Sequence, residues 1–135
     1  MKAIVLILAL SGTAFAGTGP VSVLPSARLP VELSTQTLKS AAFSLSATGT
    51  VVSAVVGKKI RVYAVKLVVS AAISVNFRDG ATTALEGAMP LAANGGFVEI
   101  IPPPFYVFQT TVGNSLDLVI SGTGTASGRI SFWEE

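Results

Sequence analysis

The chain contains no cysteine and no histidine. The first absence excludes a disulfide framework and thiolate chemistry, and leaves the redox compartment open. The second removes the commonest general base and the commonest metal ligand. Charge is also scarce. Charged residues make up 12% of the 135 positions, where about 25% is usual. Leaving out the apolar first 16 residues removes only Lys2, so 15 charged residues remain in 119. So little charge implies either a neutral Ser/Thr/Gly-rich surface or a surface largely covered by partners, because interface cores are depleted in charge. The second reading predicts a homo-oligomer or a larger assembly. The net charge of +2 is too small for binding driven by phosphate neutralisation, so no nucleic-acid partner is expected.

What the chain does have is hydrophobic residues, half of the total, and turn signals. Met1 to Ala16 reads MKAIVLILALSGTAFA. Lys2, the apolar run Ala3 to Leu10 and the small-residue site Ala14-Phe15-Ala16 form the pattern of a secretory signal. The alternative is an uncleaved arm used in assembly. The run is too short to span a bilayer stably, which takes about 20 apolar residues. Gly17 to Pro30 holds Pro20, Pro25 and Pro30 and reads as an extended arm. The expected organisation is therefore residues 1–30 as apolar segment plus arm, and 31–135 as one β-domain.

The β-domain is organised around Gly57 to Gly80, GKKIRVYAVKLVVSAAISVNFRDG. Ile60, Val62 and Ala64 alternate with Arg61, Tyr63 and Val65; then Ile73, Val75 and Phe77 alternate with Ser74, Asn76 and Arg78. A period of two places each set on one face of a strand, and β-branched and aromatic residues favour a half-buried sheet. Around this pair, Val31 to Lys39, Phe43 to Leu45, Thr50 to Val56 and Thr82 to Glu86 read as further strands. So do Phe97 to Ile101, Phe105 to Thr111, Leu116 to Ile120 and Arg129 to Trp133. Pro90 restricts Ala88 to Ala92 to an edge or bulge. Asn94-Gly95-Gly96 marks a tight turn, and Gly122 to Gly128 reads as a polar loop. In the last strand Ile130 and Phe132 point inward and Trp133 outward. Eight to ten short strands with regular turns predict an all-β, jelly-roll-like antiparallel β-sandwich with an extended N-terminal arm.

No catalytic constellation is visible, and neither an enzyme nor a cofactor is expected. Glycoside hydrolysis needs two carboxylates facing each other across a cleft, for which a pair among Asp79, Glu86 and Glu99 is the candidate. Asp79 lies in an Asp-Gly turn, where local hydrogen bonding explains it. No Asp-x-Asp run offers a calcium loop, and no metal site is expected. Lys58, Lys59, Arg61 and Lys66 form a loose basic cluster with Tyr63, of which Lys59, Arg61 and Tyr63 share a face. They suit an acidic partner or a glycan, or simply a solvated sheet face. Phe105, Tyr106 and Phe108, after three prolines, suit stacking on a sugar or a subunit, or burial in the core. Lys59, Arg61, Tyr63, Phe105 and Tyr106 are thus the candidate partner-binding residues.

Several runs together carry a family resemblance: Gly57-Lys58-Lys59-Ile60-Arg61-Val62-Tyr63, Phe77-Arg78-Asp79-Gly80, Leu85-Glu86-Gly87, Met89-Pro90-Leu91-Ala92 and Asn94-Gly95-Gly96. Val112-Gly113, Leu116-Asp117-Leu118 and Gly128-Arg129-Ile130-Ser131-Phe132 complete it. Over about Gly57 to Trp133 the chain resembles small β-sandwich structural proteins of tailed phages, namely capsid decoration (cement) proteins and tail-fibre modules. The resemblance implies a virion protein on the capsid surface, with the major capsid protein and copies of itself as partners. A receptor- or glycan-binding module of a tail fibre is the alternative. A secreted bacterial adhesion protein follows instead if Met1 to Ala16 is a cleaved signal.

Overall fold

The stretch Gly57 to Gly80 does form two strands, but they lie in different sheets. The computed structural model describes residues 36–135, so the N-terminal segment, the arm and most of the strand expected at Val31 to Lys39 lie outside the described residues. The ten strands described are β1 (Lys39–Leu45), β2 (Gly49–Val52), β3 (Ile60–Val69), β4 (Ile73–Asp79), β5 (Thr83–Ala84), β6 (Met89–Leu91), β7 (Gly96–Ile100), β8 (Phe108–Gln109), β9 (Leu116–Ser121) and β10 (Ala126–Glu134). No helix long and apolar enough to cross a membrane occurs among the described residues.

β3 is the spine of the first sheet. β10 runs along one of its edges, while β7 and β8 share the other in tandem, giving the order β1-β10-β3-β7/β8. β4 is the spine of the second. β9 takes one edge and β6 and β5 share the other, giving β2-β9-β4-β6/β5. Every pairing is antiparallel. Each tandem pair behaves as one interrupted strand. The chain is then a long hairpin, β1 on β10, β2 on β9, β3 on β7/β8 and β4 on β5/β6, rolled up so that β10 and β9 also meet β3 and β4. That is the jelly-roll winding of eight strands in two sheets. Pro90 sits in β6 at the sheet edge, where its missing N–H costs no ladder bond.

The apolar residues of both spines meet between the sheets. Val65, Leu67 and Val69 of β3 and Ile73, Val75 and Phe77 of β4 are buried there, with Leu116, Leu118, Ile130 and Phe132. Phe77 stacks on Phe108 with ring centroids 5.1 Å apart. On β4 the alternation is as expected. On β3 it is not: Val65 is buried and Ala64 is not. The reason is a β-bulge. The carbonyls of Val62 and Tyr63 both face the β7/β8 edge, accepting from Val107 N–H (2.7 Å) and Ile101 N–H (2.8 Å). On the other edge the register steps from Val62↔Phe132 to Ala64↔Ser131 and leaves Tyr63 without a counterpart. One extra residue reverses the inward parity of everything after it.

Two further expectations are corrected. Gly122 to Gly128 is not all loop, because β10 begins at Ala126 and Ala126 is fully buried. The aromatic stretch Phe105 to Thr111 pairs only at Phe108–Gln109. Its preceding prolines carry the chain away from the edge of β3, since they have no N–H to donate.

Candidate functional site

The outer face of the first sheet gathers a cluster of charged and aromatic side chains. Arg61 and the bulge residue Tyr63 project from β3, and Trp133 projects from the neighbouring strand β10, opposite Arg61. The segment Pro102 to Tyr106 is anchored at both ends by the bonds to Tyr63 O and Val62 O, and closes on itself through Phe105 N–H to Pro102 O (3.2 Å). It thereby brings Tyr106 over the sheet. Tyr106 meets Trp133 edge-on at 6.4 Å, and Tyr63 lies tilted against Trp133 at 6.0 Å. Trp133 is only 1% exposed although it lies outside the central core. A small second core therefore exists on the outer face.

Its polar rim is an ion cluster. The Arg61 guanidinium lies 4.8 Å from the centroid of the Tyr106 ring, a cation–π geometry. Its Nε donates to Gln109 Oε1 (3.1 Å), and its Nη2 is 2.7 Å from the Glu135 carboxylate. Lys59 Nζ reaches the same oxygen at 3.3 Å, and Trp133 Nε1–H donates to the other at 3.4 Å. Burial pushes the Glu135 carboxyl up, but Trp133, Lys59 and Arg61 together outweigh it and hold the group below the usual carboxylate range. At the neighbouring edge Lys39 pairs with Glu134 at 2.8 Å.

Four of the five candidate residues, Lys59, Arg61, Tyr63 and Tyr106, are thus brought together. Phe105 lies beside them and turns outward, 68% exposed. Lys59 and Arg61 are matched by Glu135, whose role had no local signal in the sequence; only the pairing of the last residues with Lys59 puts it there. Lys66, turned to the outer face by the bulge, lies farther along β3 and stands opposite Arg129 of β10, and Lys58 makes no ion pair among the described residues. The sequence pattern also gave no indication that Val98 and Ile100 of β7 are exposed on this face, at 63% and 67%.

The carboxylates divide differently from expectation. Asp79 is buried, and its partner is not local: it accepts from the backbone N–H of Thr111 (3.0 Å) and from the Thr111 hydroxyl, tying β4 to the loop before β9. Glu86 is half-buried and accepts from Phe77 N–H (3.3 Å). Burial pushes its carboxyl up, the Phe77 bond offsets part of this, and the nearby Glu99 adds to the rise. Among the described residues no group of three or more metal-ligating side chains comes together. No protein-family model, curated protein or solved structure matches this chain.

Proposed function

We propose that this chain is a structural virion protein of the capsid-decoration kind, which docks on the head shell through the outer face of its first sheet. The observation that carries the reading is the exposed apolar surface on that side, Val68, Val98, Ile100 and Phe105, in a chain with so few charges. Apolar surface of this kind marks an interaction site. The jelly-roll winding, common in capsid and lectin domains, agrees with it. The mechanism is linkage: a protein that binds only the expanded shell stabilises that shell by mass action. The test is to purify native particles, look for the protein in them, and measure its intact mass. Full-length chain in particles supports the reading. A chain beginning at Gly17 in the medium, with none in particles, replaces it with the secreted adhesion protein.

A second reading has its own observation. Phe105, 68% exposed, and Tyr106, 37% exposed, are adjacent on one surface segment, as an aromatic platform for a sugar ring would be. Glycan-array binding that disappears in Tyr106→Ala and Phe105→Ala would favour a tail-fibre module.

A further inference from the structure

Lys66 of β3 and Arg129 of β10 stand directly opposite each other. Both are exposed, and neither takes part in an ion pair among the described residues. By contrast Lys39 and Arg61 on this sheet's strands, and Lys59 just before β3, each have a carboxylate. Like charges placed directly across a ladder repel. The row through them offers no relief, because Arg129 is flanked by Ala42 on β1 and Lys66 by Val98 on β7. The two cations border an open groove of about 540 Å³. Its floor is small and apolar, with Ala42, Ala64 and Gly128 on one side and Val98 and Ile100 on the other.

We infer that this groove receives a polypeptide segment of a partner that carries a carboxylate next to apolar side chains. The carboxylate bridges Lys66 and Arg129, replacing their repulsion with two charge-assisted hydrogen bonds. The apolar side chains cover Val98 and Ile100. This names the chemistry of the contact on the docking face, and it rests on the assembly reading only for the partner's identity. A nucleic acid or a membrane surface fits less well, because two cations beside an apolar floor do not make a basic field.

The test uses the full chain, ¹⁵N-labelled, titrated with a blocked hexapeptide alternating leucine and glutamate. A leucine–lysine peptide and inorganic phosphate serve as comparisons. The expected result is that the acidic peptide alone shifts the amides of residues 64–68, 96–100 and 127–131. The Lys66→Glu variant pairs with Arg129 internally, so it folds at least as stably, and its affinity for the peptide falls by about tenfold or more. Unchanged affinity in Lys66→Glu overturns the inference. So does phosphate shifting the same amides as tightly as the peptide, which reduces the site to one for a simple anion. Concentration-dependent shifts of these amides without any peptide also overturn it, in favour of a second copy. In particles the two proposals separate. Lys66→Glu protein present at wild-type occupancy refutes the groove and leaves the virion reading standing. Wild-type protein absent from particles refutes the virion reading, and the titration still decides the groove.

Discussion

Gly128 lies inside β10 between two strands, and a side chain has no room there. A Cβ at this position would overlap the carbonyl oxygen of Lys66 and lie 3.0 Å from Phe43 Cζ. Gly128→Ala should therefore destabilise the domain by about 1–3 kcal/mol through overpacking, read as a lower urea midpoint. In the sequence this glycine sits in GTGTASG and looks like part of a loop; only the approach of β3 shows why it must be small. Glu86 makes a second prediction at this scale. Its folded carboxyl is raised above the ordinary value of 4.5 by burial first and by Glu99 as well. A raised acid binds more protons folded than unfolded, so stability is fullest below the unfolded pKa and falls as pH rises through the folded one. Glu86→Gln keeps an oxygen for Phe77 N–H and removes the charge. It should raise the urea midpoint at pH 7, with the gain disappearing below pH 4.5. Glu135 has the opposite sign. Its carboxyl is depressed, so its contribution is present at neutral pH and is lost as pH falls through its folded value.

Among the elements, the central strands and the proline-led segment carry the testable consequences. Phe77 on β4 is fully buried against Phe108 and fills the space between the sheets. Phe77→Ala should cost about 3–5 kcal/mol, a large part of the roughly 5–15 kcal/mol of a typical domain, measured by denaturant unfolding. The segment Pro102 to Tyr106 works differently, because it covers the outer-face tryptophan rather than the main core. Trp133 is the sole tryptophan of the chain, so its fluorescence reports on that cover. Tyr106→Ala should shift its emission to the red and increase quenching by iodide, with little change in the unfolding midpoint. Unaltered emission would mean that Tyr63 and Glu135 suffice to shield the indole. The bulge at Val62–Tyr63 is the element-scale feature that alternation alone could not place. A period-two pattern is blind to one inserted residue until the neighbouring strands fix the register.

For the whole molecule the consequence is kinetic as well as architectural. The first strand described, β1, pairs with the last, β10, and β2 pairs with β9. Contacts so distant in sequence must close long loops before they are rewarded, which slows folding. Refolding from urea, followed through Trp133, should take about milliseconds to seconds rather than microseconds. A microsecond phase with full amplitude would contradict the rolled-hairpin order.

Local chemistry by itself determined that the chain is built of short β-strands. Alternation on β4, β9 and the end of β10, the Asn94-Gly95 turn and the edge position of Pro90 are all written within a few residues. Composition also pointed to a surface poor in charge. Tertiary structure decided which strands are neighbours, that the two strands of Gly57 to Gly80 face each other across the core, and where the β3 bulge falls. It also decided that Glu135 neutralises Lys59 and Arg61 while Lys66 meets Arg129. The physical reason is that a strand's ladder partners are supplied by other parts of the chain. Which face a residue takes after a bulge, and which charge stands opposite it, are properties of the pairing and not of the strand.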